Sequence, residues 1–63
     1  MMQMTERAIK QILRDAGWVI QAGGWHDLAT HPQKPGIKIA IPRHRGDIPK
    51  GTAEAILKQA GIR

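Results

Sequence analysis

Two stretches of this chain end in the same way. Ile12-Leu13-Arg14-Asp15-Ala16-Gly17 and Ile56-Leu57-Lys58-Gln59-Ala60-Gly61 each run an apolar pair, a basic residue and an Ala-Gly stop. This is helix-ending chemistry, because glycine takes the left-handed conformation that terminates a helix at no steric cost. Upstream of the first ending, Ala8, Ile9, Ile12, Leu13 and Ala16 recur at helical spacing, with Thr5 placed to cap the start. Upstream of the second, Ala53, Ile56, Leu57 and Ala60 form one stripe, with Asp47 as the expected cap and Pro49 in the first turn. Each helix thus has one apolar face to cover, and only the 30-odd residues between them can do so.

Those residues read as strands. Trp18-Val19-Ile20-Gln21 is aromatic and β-branched. Gly23-Gly24 makes a turn, and Trp25 to Thr30 forms a second strand, antiparallel because the connection is hairpin-short. His31 to Gly36 holds two prolines and a glycine and reads as a loop. Ile37-Lys38-Ile39-Ala40-Ile41 is the clearest strand, its three isoleucines on one face, and Pro42 ends it. The order α-β-β-β-α predicts an α+β two-layer sandwich. Two helices cover one face of a three-stranded antiparallel sheet, similar to a double-stranded-RNA-binding domain, and the other face stays open. At 63 residues the chain is expected to be one domain, residues 1–63, with a thin core, since a domain of this size buries only ~60% of its unfolded surface.

The formal charge of +5 is one-sided. Residues 1–33 balance three basic against three acidic side chains. Residues 34–63 carry seven basic ones, Lys34, Lys38, Arg43, Arg45, Lys50, Lys58 and Arg63, against Asp47 and Glu54. Such a distribution attracts a polyanion, nucleic acid first among them; a basic surface serving solubility is the plain alternative. There is no cysteine and no serine, so neither thiolate nor serine nucleophile is available. The three histidines lack metal-ligand spacing, the acids are scattered, and no metal or cofactor is expected. No apolar run is long enough to span a bilayer and the N-terminus lacks a signal-peptide pattern, so a cytoplasmic protein is expected.

What remains is acid–base chemistry by histidine beside a polyanion. RNA suits it, because its own 2′-hydroxyl can attack the adjacent phosphate. The protein then needs only a proton acceptor and cations for the charge on phosphorus. His26, two residues after the glycine pair, is the candidate; a surface histidine beside a turn is the alternative, and the residues alone leave both open. Asp27 follows it in sequence but points to the opposite face of a regular strand, which makes it a poor partner for that ring. Alternation also groups His26 with Leu28, which puts the imidazole toward the helices unless a bulge or the sheet rim frees it.

Taken in order, several motifs resemble the HicA family, small mRNA interferase toxins of type II toxin–antitoxin pairs. These are Gly17-Trp18-Val19-Ile20 after the first helix, Gly23-Gly24-Trp25-His26, His31-Pro32, Ile41-Pro42-Arg43-His44, Pro49-Lys50-Gly51-Thr52 and the closing Ile56 to Gly61. The resemblance implies a metal-independent endoribonuclease acting on mRNA with His26 as its single catalytic residue. It also implies a HicB-type antitoxin that blocks the site, the toxin being a monomer when free and part of a hetero-oligomer with the antitoxin. The serine common before the family histidine is replaced here by Gly24 or Trp25. Trp25, Lys34, Lys38, Arg43, His44, Arg45 and Lys50 are the expected RNA contacts. A non-catalytic RNA-binding module of double-stranded-RNA-binding type is the alternative function, and a structural partner protein is a third.

Overall fold

A computed structural model describes residues 4–43 and 46–62. The element order is β1 (Met4–Thr5), α1 (Glu6–Asp15), β2 (Val19–Gln21), β3 (His26–His31), β4 (Lys34–Pro42), β5 (Asp47–Ile48) and α2 (Lys50–Gln59). The expected α+β arrangement is present. β2, β3 and β4 form an antiparallel sheet in that order, with β3 central, and both helices cover one face. Ile9 and Leu13 of α1 and Ala53, Ile56 and Leu57 of α2 are buried, and Ile39 and Ile41 of β4 are buried with them.

Local chemistry places the helix ends. Thr5 caps α1, its Oγ1 accepting the Ala8 N–H at 3.1 Å. Gly17 and Gly61 take φ of 95° and 75°, stopping α1 and α2 as their sequence endings predict. Gly17 has a second reason to lack a side chain. A Cβ there would lie 2.8 Å from Nε2 of His31. That ring fills the space and caps α1, its Nε2–H donating to the Ala16 carbonyl (3.2 Å) while Nδ1 accepts the Gln33 N–H (3.1 Å). The two partners fix the tautomer, because one ring nitrogen meets an acceptor and the other a donor.

Four expectations are corrected. Asp47 does not cap α2: it lies in β5, paired with Thr5 of β1, and extended Pro49 is the N-cap with no side-chain bond. This short β1–β5 ladder, unforeseen from the sequence, brings the starts of the two helices together. The segment from His31 to Gly36 is not all loop, since β4 already begins at Lys34. Pro35 is tolerated because β4 is an edge strand, and Gly36 (φ 89°) sits where the register slips. Between Ala29↔Ile39 and His31↔Lys34, β4 takes five steps while β3 takes two. Ile37, expected beside Ile39 and Ile41 in the core, is exposed in this stretch. Finally, the helix-facing residues of β3 are Asp27 and Ala29, both buried, whereas Leu28 is only half-buried.

Candidate RNA-cleavage site

That last correction settles where His26 points. Asp27 and Ala29 face the helices, so alternation puts His26, Leu28 and Thr30 on the open face. His26 is exposed at the first position of the central strand. No bulge at Gly23-Gly24 is needed to free it. Directly before it, Trp25 is 92% exposed, an extreme value for an indole. The half-buried strand aromatic that this tryptophan might have been is not what the chain builds.

Asp27, one residue after His26, is 4% exposed. Its carboxylate is paired with Lys10 of α1 and with Arg43, whose Nη2 lies 3.2 Å from Oδ1. Lys10 also reaches Glu6 at 2.9 Å, one helical turn away. The Lys10 ammonium, followed by Arg43 and the Gly23 N–H, holds the Asp27 carboxyl at about 2, against the opposing effect of burial. Asp27 and then Glu6 in turn raise the Lys10 ammonium above its ordinary value. The Arg43 Nη2 also donates to the Gly23 carbonyl at 2.7 Å. Gly23 packs so closely on the next strand that a Cβ there would come 2.2 Å from the His26 carbonyl oxygen.

The expected site residues divide by place. Trp25, His26 and Arg43 gather at one end of the sheet, since His26 pairs with Pro42 and Arg43 follows it. Lys38 is exposed and shares the parity of Ala40, the partner of Leu28, which puts it on the open face with His26. Lys50 is exposed at the first position of α2. Lys34 lies at the other end of β3, opposite His31, about 17 Å from His26 by strand rise. There its ammonium donates to the Ala60 carbonyl at 3.3 Å and sits 5.8 Å from the Trp18 ring centroid, so it caps α2. His44 and Arg45 lie outside the described residues. Among the described residues, no three His, Asp or Glu side chains converge as metal ligands would, and no helix is long and apolar enough to cross a membrane.

A model of the family described as the HicA toxin of bacterial toxin–antitoxin systems matches residues 7–62 of the 63. The chain belongs to the HicA toxin family. No curated protein matches it. Membership makes it the toxin half of a toxin–antitoxin pair, with an antitoxin as partner. The matched span of this HicA-family chain takes in the whole sheet, both glycine stops and His26.

The sequence reading missed two side chains of this region. Lys10 is not among the expected site residues, and Asp27 is expected to be a poor partner for the His26 ring. The pair could have been suspected from one signal, an acid flanked by His26 and Leu28 in a strand otherwise poor in charge.

Proposed function

We propose that this HicA-family toxin is an endoribonuclease that cleaves mRNA without a metal ion, with His26 as its general acid–base. The observation that carries this reading is the exposed His26 at the head of the central strand, on the uncovered face and beside a bare indole. The ribose 2′-hydroxyl is the attacking oxygen. His26 accepts its proton, the oxygen bonds to phosphorus, and the P–O5′ bond breaks to leave a 2′,3′-cyclic phosphate. The leaving 5′-oxygen takes a proton from the medium or from the imidazolium. Arg43, Lys38, Lys50 and Arg45 supply positive charge for phosphate oxygens, and His44 is a further RNA contact. The Trp25 indole stacks on a base, which single-stranded RNA alone presents freely. The toxin is a monomer when free and is held by a HicB-type antitoxin in a hetero-oligomer.

The test is cleavage of a single-stranded RNA by purified protein in EDTA. Wild type is expected to cut and His26→Ala to be inactive with an unchanged circular dichroism spectrum. RNA that is bound, salt-dependently, but never cut would replace this reading by the non-catalytic RNA-binding module.

A further inference from the structure

Asp27 is an anomaly of the core. Its neighbours in the helix-facing layer are Ala29 on its own strand and Ile41 across from it, both fully buried. Removing the Asp27 carboxylate from water is expensive, while its partners Lys10 and Arg43 keep part of their solvent contact, and apolar side chains of similar volume often replace a buried ion pair at no loss of stability. A domain of 63 residues has little core to give up. The charge therefore calls for a role other than holding the fold.

The contacts supply one. They tie two separate pieces of chain to a single carboxylate: Lys10 from α1 and Arg43 from the exit of β4. Arg43 carries the tie to a third piece, the β2–β3 turn, by donating to the Gly23 carbonyl from the nitrogen that meets Asp27. Gly23 in turn abuts the His26 carbonyl. The backbone of His26 is thus fixed on both sides, by Asp27 after it and by the anchored turn before it. We propose that Asp27 is a positioning residue for His26: with Lys10 and Arg43 it clamps the Gly23–Trp25 turn and so sets where the imidazole and the indole meet RNA. This rests on the reading of His26 as the acid–base group. Asp27 touches no reacting atom; it lies on the other face of the strand.

A purely stabilising ion pair and a positioning clamp differ in what an apolar replacement does. The double substitution Lys10→Met with Asp27→Leu is expected to keep the melting temperature at or above that of the wild type. It should still lower kcat for RNA cleavage at least tenfold, with KM changed less than threefold. In ¹⁵N relaxation, the backbone order parameters of residues 23–26 should fall from about 0.85 to below about 0.6, while those of α1 and α2 hold. Asp27→Asn, which keeps the shape and loses the charge, should lower kcat and the order parameters of residues 23–26 in the same way, with a lower melting temperature because Lys10 keeps its charge without a partner. Wild-type kcat with a rigid turn in either folded variant would overturn the proposal, and so would failure of both to fold, since the cluster would then be a stability element. The relaxation readout needs no cleavage. A wild-type protein that never cuts RNA sinks the endoribonuclease reading, whereas a turn that stays rigid without Asp27 sinks the clamp.

Discussion

Trp25 stands in solvent beside His26, and its exposure is the most testable single feature of the molecule. Stacking on one base is worth roughly 1–3 kcal/mol. Trp25→Ala is therefore expected to weaken binding of single-stranded RNA by about 5- to 150-fold, with the melting temperature unchanged, as fluorescence titration and calorimetry would report. Unchanged affinity would remove the indole from the interface. Asp27 carries a different residue-scale expectation. Its folded carboxyl titrates at about 2, below its ordinary 3.8. A lowered value means stability that is fully present above pH ~4 and lost as pH falls toward ~2, up to about 2 kcal/mol for this one group. Between pH 5 and 2 the stability of the wild type should fall more steeply than that of Asp27→Asn, measured by urea unfolding. Parallel curves would show that the pair with Lys10 is not formed in solution.

Among the elements, β3 shows what was legible and what was not. The two helices, their glycine stops and the strand of Ile39 and Ile41 follow from periodicity within short windows. The facing of β3 does not, because hydrophobicity nominates Leu28 for the core while the chain buries Asp27. The counter-charges that permit this come from Lys10, one helix earlier, and Arg43, one strand later, and no local window contains them. The β1–β5 ladder was hidden for a similar reason: two residues at each of two distant sites carry no periodicity. His26 is a candidate from its place after the glycine pair together with the family resemblance, but its orientation required this tertiary pairing.

The joint between α1 and β3 carries an element-scale prediction. Gly17 combines a positive φ with a His31 ring in the space a Cβ would take, so Gly17→Ala adds backbone strain and displaces the cap on Ala16. A loss of roughly 2–3 kcal/mol is expected, visible as a drop in melting temperature of about 10 °C or more for so small a domain. Gly24→Ala, with open space around its Cβ and no positive φ, is expected to stay within about 0.5 kcal/mol of wild type. Equal stability of the two variants would contradict the packing of His31 against Gly17.

For the whole molecule, the placement of charge matters more than its total. The excess of basic residues lies in the second half of the chain, which runs from the edge strand β4 into α2. Affinity for single-stranded RNA should fall linearly with the logarithm of salt concentration, and Lys38→Gln should reduce that slope by about 0.7, the release expected for one phosphate contact. An unchanged slope would place RNA away from the open sheet face. A nuclease active without a cofactor must be restrained in the cell that makes it, which accords with a toxin–antitoxin pair. Expression of the chain alone should arrest growth, and co-expression of its antitoxin should restore it.

All of this converges on the imidazole of His26. The direct measurement is the rate of cleavage of a defined single-stranded RNA in EDTA by wild type and His26→Ala, with the product ends identified. Cutting by wild type to 2′,3′-cyclic phosphate ends, and none by a folded His26→Ala, is the predicted result. Cleavage by His26→Ala at the wild-type rate, or 5′-phosphate ends, would contradict it.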